Sequence, residues 1–271
     1  MTKKQFFLFL FISILILPFL FLVFWPSQKL VFIVCNVGQG DALLITRGFT
    51  QILIDGGPND KVLDCLTENI PFWDRTIELV VNTHPDKDHL AGLVEVVKRY
   101  QVKQILANSL MVDTQVFKDF QEQILEQEIP VYSPKKGERI KIAGLEFKTL
   151  WPTQQVLGAA TLKQKTNENS IVLHLQYQDF DAILTGDITS KEGGQIVQDY
   201  QFQDIEVLKV AHHGSKYSSS REFLEKINPG IAVISVGKNS WGHPTKEVLE
   251  RLQSVGSQIL RTDEQKIKLK I

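Results

Sequence analysis

Four side chains that commonly ligate metal ions fall within residues 84–89. The run THPDKDH places His84, Asp86, Asp88 and His89 directly after the apolar, β-branched residues 77–82 and before an amphipathic segment. This pattern predicts a strand-to-helix turn. A turn of this kind lets imidazole and carboxylate groups converge on one or two divalent cations. Two of the chain's six histidines lie in the turn, which makes an accidental grouping a poor explanation.

A fifth candidate ligand, Asp187, follows the apolar residues 182–186. A buried carboxylate without a partner is unfavourable, and a position between two cations would satisfy it. The alternative is that Asp187 caps a helix that begins near Ser190.

Three further histidines lie at predicted element boundaries. His212 and His213 follow the apolar residues 205–211, and neighbours on a strand point to opposite faces, so we expect one of them, His212, to enter the site. His243 precedes Pro244 at a predicted helix start. It is either a ligand, a proton donor, a phosphate contact or an ordinary surface residue.

The elements that would position these residues alternate along the chain. Strands are predicted first, over residues 30–36, 42–46 and 51–55. Later strands are predicted within 77–82, 140–151, 170–185, 205–211 and 231–236, and near 259 and 267, with helices over 90–100, 112–128, 190–198, 219–227 and 244–255. Two β-then-α halves of similar length favour two sheets packed face to face with helices outside.

The turn at residues 84–89 resembles the HxHxDH signature of the metallo-β-lactamase superfamily, with Asp86 in place of the second histidine. Further ordered motifs are similar to the extracellular hydrolase domain of competence DNA-uptake proteins of the ComEC type: VGQGDA at 37–42, LIDGG at 53–57, LTGD at 184–187, VAHHGS at 210–215 and GHP at 242–244. The resemblance covers residues 30–271. It implies an α/β fold, the metallo-β-lactamase-like αββα sandwich, over residues 29–271.

The resemblance also implies a site. We predict metal ligation by His84, Asp86, Asp88, His89, Asp187 and His212, and catalytic roles for Asp88, His212 and His243. Contacts with substrate or with the ligands are predicted for Asp41, Asp55, Lys87, Asn169, His213, Ser215 and Lys216. Asp41 and Asp55 are expected to support the ligands rather than to bind metal themselves.

The identity and number of the cations depend on two departures from the superfamily pattern. Asp86 makes the ligand set richer in oxygen, so that Mn²⁺ rivals Zn²⁺. The histidine of the middle motif is missing: Asn169 and Ser170 occupy the corresponding loop, and His174 is expected to be a strand residue. One of the one or two cations would therefore have fewer protein ligands or an open position.

Composition limits the remaining functions. Thirty basic and 31 acidic residues give a net charge of -1, so any site for a polyanion must be local. The two cysteines, Cys35 and Cys65, are too few for a disulfide framework and are expected to be small core residues.

The N-terminus predicts a membrane anchor. Residues 6–25 are almost wholly Phe, Leu, Ile and Val, and about 20 helical residues span a bilayer core. Lys3 and Lys4 would keep that end in the cytoplasm and place the catalytic domain outside the cell membrane. Residues 1–28 are then a single-pass anchor, or alternatively a signal segment of a secreted protein, although no small-x-small cleavage site is evident.

These observations favour metal-activated hydrolysis, with a phosphodiester as the substrate class and a DNA strand degraded during uptake as one concrete case. Partners would then be DNA, the membrane and a competence or membrane complex. One alternative is a hydrolase of esters, lactones or other small molecules. Another is a non-catalytic subunit of a membrane complex that holds metal only for structure.

Overall fold

A computed structural model of the 271-residue chain describes residues 2–23, 25–153, 166–203 and 205–271, with the backbone alone for residues 17–23. The helices within these ranges are α1 (Lys3–Val23), α2 (Lys61–Asn69), α3 (Lys87–Arg99), α4 (Gln115–Glu126), α5 (Ser190–Asp199), α6 (Arg221–Ile227) and α7 (Lys246–Ser254). The strands are β1 (Val31–Val34), β2 (Leu43–Arg47), β3 (Thr50–Ile54), β4 (Thr76–Ile77), β5 (Leu79–Asn82), β6 (Gln101–Val102), β7 (Ile105–Ala107), β8 (Val131–Tyr132), β9 (Arg139–Ile142), β10 (Leu145–Trp151), β11 (Val172–Tyr177), β12 (Phe180–Leu184), β13 (Val207–Lys209), β14 (Ile231–Ile234), β15 (Gln258–Arg261) and β16 (Ile267–Lys270).

The strands form two seven-stranded sheets and a short pair. The first sheet has the order β16-β1-β2-β3-β5-β7-β8, the second has the order β15-β14-β13-β12-β11-β10-β9, and β4 pairs with β6. Each large sheet is antiparallel at one side and parallel at the other, because β3, β5, β7 and β8 run parallel, as do β12 to β15. The two halves of the chain therefore repeat one architectural plan.

Three apolar layers hold the sheets and helices together. Alternate residues of β1 show the arrangement: Phe32 faces the layer between the two sheets, together with Phe147 of β10, whereas Val31 and Ile33 face the layer that α2, α3 and α4 cover. A third layer joins the second sheet to α5, α6 and α7. Strands buried on both faces need continuous apolar runs, as in β1 (VFIV). The predicted αββα sandwich is confirmed.

Parallel strands bring their carboxyl ends to one edge of each sheet, and loops at that edge carry the candidate ligands. In the first sheet, Asp55 directly follows β3 and His84 lies two residues after β5. In the second, Asp187 follows β12 and His213 follows β13. The strand ends of both sheets thus meet over one site.

Three features differ from the sequence-based expectation. Cys35 and Cys65 are not unpaired core residues: they form a disulfide, with Cα atoms 5.8 Å apart, which joins the end of β1 to α2. Their separation of 30 residues could not reveal this, because pairing depends on how α2 packs on the sheet. Helix α2 and the short strands β6, β7 and β8 were also not predicted.

Among the described residues, no helix combines the length and the apolar character needed to cross a bilayer. The structure therefore does not support the transmembrane helix that the sequence predicts for residues 6–25.

Helix α3 packs closely against the turn that follows β3, and glycine allows this approach. The amide of Gly92 donates to the carbonyl of Gly57, at 2.9 Å. A Cβ at Gly92 would lie 1.9 Å from the carbonyl oxygen of Gly56, too close for any side chain. This contact fixes the ligand-bearing start of α3 relative to Asp55.

We expect Gly92→Ala to lower the free energy of unfolding by at least about 2 kcal/mol, because overpacking forces the helix away from the turn. Gly194→Ala in α5 is the matched control, since a Cβ there meets nothing within 4 Å. Alanine at position 194 should be neutral or stabilising by up to about 1 kcal/mol through its helix propensity. Urea unfolding of both variants checks the pair, and equal effects would contradict the packing described.

Candidate metal centre

Asp187 lies at the middle of the cluster formed by the strand ends. Its Oδ1 is 3.4 Å from Nε2 of His89, and its Oδ2 is 3.5 Å from Nε2 of His213. The side chain is only 4% exposed. Thr189, not Asp187, caps α5 through a capping box with Glu192, so the helix-capping alternative for Asp187 does not hold.

Fixed hydrogen-bond partners orient His89 and His213 towards this carboxylate. Nδ1 of His89 is 2.8 Å from Oδ2 of Asp55, and Nδ1 of His213 is 3.0 Å from the carbonyl oxygen of Ser235. A carboxylate and a carbonyl only accept hydrogen bonds, so both Nδ1 atoms carry the proton. Each Nε2 atom is therefore the one directed at Asp187.

His84 is oriented by a chain of hydroxyl groups. The hydroxyl of Thr83 donates its only proton to Oδ2 of Asp55, at 2.7 Å, and so it accepts from Nδ1 of His84, at 3.0 Å. Ser170 adds a second contact with this nitrogen at 3.3 Å, and its hydroxyl oxygen accepts from the amide of Asp187. The unprotonated Nε2 of His84 then points into the cluster.

These atoms satisfy a test for cation binding. Nε2 of His84, Nε2 of His89 and Oδ1 of Asp187 are buried and have no hydrogen-bond partner among the described residues. His84, His89 and Asp187 each offer a ligand atom within 4.8 Å of the others. The same holds for Asp88, His89 and His213. Buried polar atoms that converge without partners fit one or two divalent cations.

Asp86 lies at the more open end of the cluster. Its Oδ2 is 3.8 Å from Nε2 of His84, and its side chain is 40% exposed. Partial burial raises the pKa of Asp86. A cation between His84 and Asp187 would gain a carboxylate here and would keep room for solvent or substrate.

His213 enters the cluster more deeply than His212, which reverses the order that the sequence suggested. The premise that both lie on a strand is wrong: residues 211–214 form a 3-10 turn, with φ of +52° at His212 and +53° at His213. With left-handed backbone at both positions, both rings approach Oδ2 of Asp187. His212 lies at the rim, 30% exposed, with Nε2 3.9 Å from Oδ2 of Asp187. Which of the two ligates metal stays a prediction.

A buried ion pair supports the cluster from behind. Lys209 is 1% exposed, and its Nζ is 2.7 Å from Oδ2 of Asp41, whose Oδ1 is 3.2 Å from Nδ1 of His213. Asp41 belongs to two groups of potential metal ligands, one with His89 and one with His213. The ammonium group of Lys209, 2.7 Å from Asp41, opposes the binding of a cation by this carboxylate. Asp55 contacts Nδ1 of His89 and Asp41 contacts Nδ1 of His213, so a supporting role for both carboxylates stays the prediction.

Lys209 was not predicted from the sequence. It lies inside an apolar run of β13, and the only signal was a lysine where a buried strand should have none.

The charges shift the pKa values of the cluster in a consistent pattern. Burial lowers the pKa of His84 to about 4, so this imidazole is neutral at pH 7. Burial also opposes protonation of His213, but Asp187 and then Asp41 outweigh it and raise the pKa of His213 to about 10. Asp187 likewise raises the pKa of His89. Without a cation, protons on His89 and His213 balance the buried carboxylates.

The other predicted residues lie around the cluster. Asp88 contacts Nε2 of His213 through Oδ2, at 3.2 Å. Ser215 is buried, Lys216 and Lys87 are exposed, and Asn169 is buried beside Ser170. The ring of His243 lies 5.6 Å from that of His212, between centroids. His174 pairs with Asp181 on the second sheet, outside the cluster, as expected for a strand residue.

Comparison with known proteins agrees with this geometry. The family model described as the metallo-beta-lactamase superfamily matches residues 35–238. The chain belongs to the metallo-beta-lactamase superfamily. Among solved structures, the metallo-beta-lactamase fold protein YhfI from Bacillus subtilis superposes with a TM-score of 0.62 at 10% identity, over 90% of this chain and 100% of that one. At that identity the likeness concerns the fold alone.

Two curated relatives within this superfamily are larger proteins. The chain is 31% identical to ComE operon protein 3 of Bacillus subtilis over 258 residues, which are 84% of this chain and 31% of that protein. It is 28% identical to competence protein ComA of Neisseria gonorrhoeae over 244 residues, 88% of this chain and 32% of that protein. These identities confirm the predicted resemblance to competence proteins. The chain spans about a third of the length of these relatives.

We expect Lys209→Met to lower the free energy of unfolding by about 3 kcal/mol, because it leaves the Asp41 carboxylate buried without its cation. The double variant Asp41→Asn/Lys209→Met should recover part of this loss. Lys98→Met, which removes an exposed ion pair with Glu95, is the control and should cost no more than about 0.5 kcal/mol. Urea unfolding measures all three, and a Lys209 variant as stable as the Lys98 variant would refute the buried pair.

Proposed function

We propose that this chain is a metal-dependent hydrolase of phosphodiesters that acts on DNA in a competence-type uptake system. One observation carries the proposal: His84, His89 and His213 all have Nδ1 committed to fixed acceptors and Nε2 directed towards Asp187, next to a solvent-open groove. A set of preoriented ligands with an open side is the arrangement of a catalytic rather than a closed structural metal site.

The side chains of the cluster would divide the work of hydrolysis. His89, His213, Asp88 and Asp187 would hold one cation, and His84, Asp86 and Asp187 would hold a second. A divalent cation bound there would lower the pKa of water, and its positive charge would stabilise phosphoryl oxygens. Asp55 would keep His89 in the ligating tautomer, and the carbonyl of Ser235 would do the same for His213.

His243 lies at the mouth of the site and suits proton transfer or phosphate binding. Burial, and then the nearby His212, lower its pKa below the usual value, so the ring is neutral at pH 7. A neutral imidazole can accept a proton at one nitrogen and donate a hydrogen bond from the other. The side chain of Asn239 fixes the backbone of His243 by accepting from its amide, at 3.0 Å, and donating to its carbonyl, at 2.8 Å.

A phosphodiester fits the charge of the surroundings better than a neutral ester. Lys216 and Lys246 bring two positive charges to the groove beside the cluster, against one negative charge from Glu247, although the chain as a whole is slightly acidic. This local positive charge is what an anionic substrate requires. Similarity to ComE operon protein 3 and to competence protein ComA supports a role in competence, with DNA and other components of an uptake complex as partners.

The choice of metal follows from the ligand types. Asp86, Asp88 and Asp187 contribute oxygen to a set that also contains imidazoles, which suits Mn²⁺ as well as Zn²⁺. A hydrolase of small esters or lactones would use the same centre. A non-catalytic subunit would bind metal without turnover.

We also propose that the domain is tethered outside the cell membrane by residues 1–28. The apolar run and the lysine pair support an anchor, and the disulfide between Cys35 and Cys65 is typical of oxidising compartments. Trp25 packs edge-on against Phe49 in the β2–β3 turn, with ring centroids 5.1 Å apart. That turn lies at the opposite end of β3 from Asp55, so the metal centre would face away from the membrane.

Asp187→Ala tests the proposed catalysis. The variant should lose at least one bound metal and nearly all cleavage of single-stranded DNA, because its carboxylate is shared by both cation positions. His174→Ala is the control, since that histidine lies outside the cluster. Elemental analysis, unfolding curves and a screen of DNA, esters and lactones with Mn²⁺ or Zn²⁺ check the result. Cleavage of esters but not DNA would favour the alternative substrate, and metal without any turnover would favour the non-catalytic subunit.

Fractionation of cells that express the full chain tests the anchor. The protein should stay with membranes after alkaline carbonate extraction, and protease added outside spheroplasts should degrade the domain. Release by carbonate would argue against a spanning helix, and protection from protease would place the domain on the other side.

A further inference from the structure

We propose that Trp241 and Tyr217 form a stacking platform for the bases of a single-stranded nucleic acid beside the metal centre. The inference rests on the proposed phosphodiesterase function and adds the form of the substrate. Trp241 is 68% exposed and Tyr217 is 69% exposed, although large aromatic side chains are mostly buried in folded domains. Both rings line the same groove of about 510 Å³.

The groove leads from the metal centre to these rings. Nε2 of His212 lies 3.9 Å from Asp187, and the ring of His212 lies 5.6 Å from that of His243. The ring of His243 is in turn stacked near Trp241, with centroids 6.5 Å apart and planes inclined by 27°. A strand whose phosphate lies at the proposed metal centre would therefore bring the neighbouring bases to Trp241.

One side chain fixes the wall that carries Trp241. The side chain of Asn239 donates to the carbonyls of Gly237 and His243, both at 2.8 Å. Its Oδ1 accepts from the amides of Trp241, at 3.1 Å, and His243, at 3.0 Å. Four hydrogen bonds from one residue hold the loop, so the exposed indole is presented by an ordered backbone.

The wall that carries Tyr217 is fixed in a similar way. The guanidinium of Arg251 donates to the carbonyls of Lys216, at 2.9 Å, Ser218, at 3.0 Å, and Ser219, at 2.9 Å. These bonds tie the segment around Tyr217 to helix α7. Two ordered walls present both rings before any ligand arrives, which lowers the entropic cost of binding.

The charges of the groove favour a nucleic acid over an uncharged aromatic ligand. Nζ of Lys216 lies 5.2 Å from the centroid of the Tyr217 ring, and Lys246 is exposed on the opposite wall. Among the described residues that line the groove, only Glu247 is acidic. Exposed rings beside lysines are the combination that binds single strands, because each base has a face to stack while the phosphates meet the cations. In a duplex the bases already stack on one another and cannot occupy such a platform.

Equilibrium binding tests the platform independently of cleavage. Full-length protein, with metal chelated so that no cleavage occurs, is titrated into two fluorescein-labelled 12-mers: oligothymidylate and an abasic strand of equal length. Trp241→Ala should weaken binding of oligothymidylate by about fivefold or more, the lower end of one base–aromatic stack. It should weaken binding of the abasic strand much less. Trp241→Phe, which keeps a ring, should restore most of the difference.

Phe72→Ala is the matched control, since Phe72 is 72% exposed but lies outside the groove. It should change neither affinity. Equal losses on the two strands, or no loss on either, would overturn the platform. Cleavage with Mn²⁺ restored is scored separately. A base preference that Trp241→Ala leaves unchanged, with cleavage intact, refutes only the platform, whereas absence of cleavage in the unmodified protein refutes the proposed function.

Discussion

A buried carboxylate faced by three imidazoles whose Nδ1 atoms are already engaged is the constraint on which this structure depends. Asp187 is buried, and among the described residues its ion-pair partners are histidines rather than lysine or arginine. The negative charge of Asp187 can be balanced in two ways. Either the Nε2 atoms of the three histidines carry protons, or they bind a cation together with the carboxylate. Burial keeps His84 neutral. One or two divalent cations would satisfy the carboxylate and the three rings together.

The same constraint explains why the two halves of the sandwich need each other. The first half supplies His84 and His89, and the second supplies Asp187 and His213. The support is shared as well, because Asp41 from the first half orients His213 and Ser170 from the second contacts His84. Cation binding is therefore coupled to the packing of one sheet on the other. Within the first half, the close contact of α3 with the turn at residues 56–57 holds His89 beside Asp55.

Much of this site could be predicted from the sequence, because local spacing reveals ligands that share one turn. Residues 84–89 gave four candidates, and apolar strands ahead of Asp55 and Asp187 marked where side chains leave the sheet. The order of His212 and His213 could not be obtained in this way, since it depends on positive φ values that no pattern in histidines encodes. Lys209 and the pair of Cys35 and Cys65 depend on packing between distant segments, which periodicity does not report. The αββα layers came from the family resemblance, and the structure confirms them.

The groove and the metal centre are continuous, yet they are built on different principles. The centre consists of buried charges that orient one another, whereas the groove consists of exposed rings held by backbone hydrogen bonds from Asn239 and Arg251.

The most direct test of the centre is anomalous X-ray diffraction from crystals grown with Mn²⁺. The account predicts a peak within about 2.0–2.3 Å of Asp187 and of Nε2 of His89 or His213. Well-ordered Mn²⁺ bound elsewhere, with no peak beside Asp187, would contradict it.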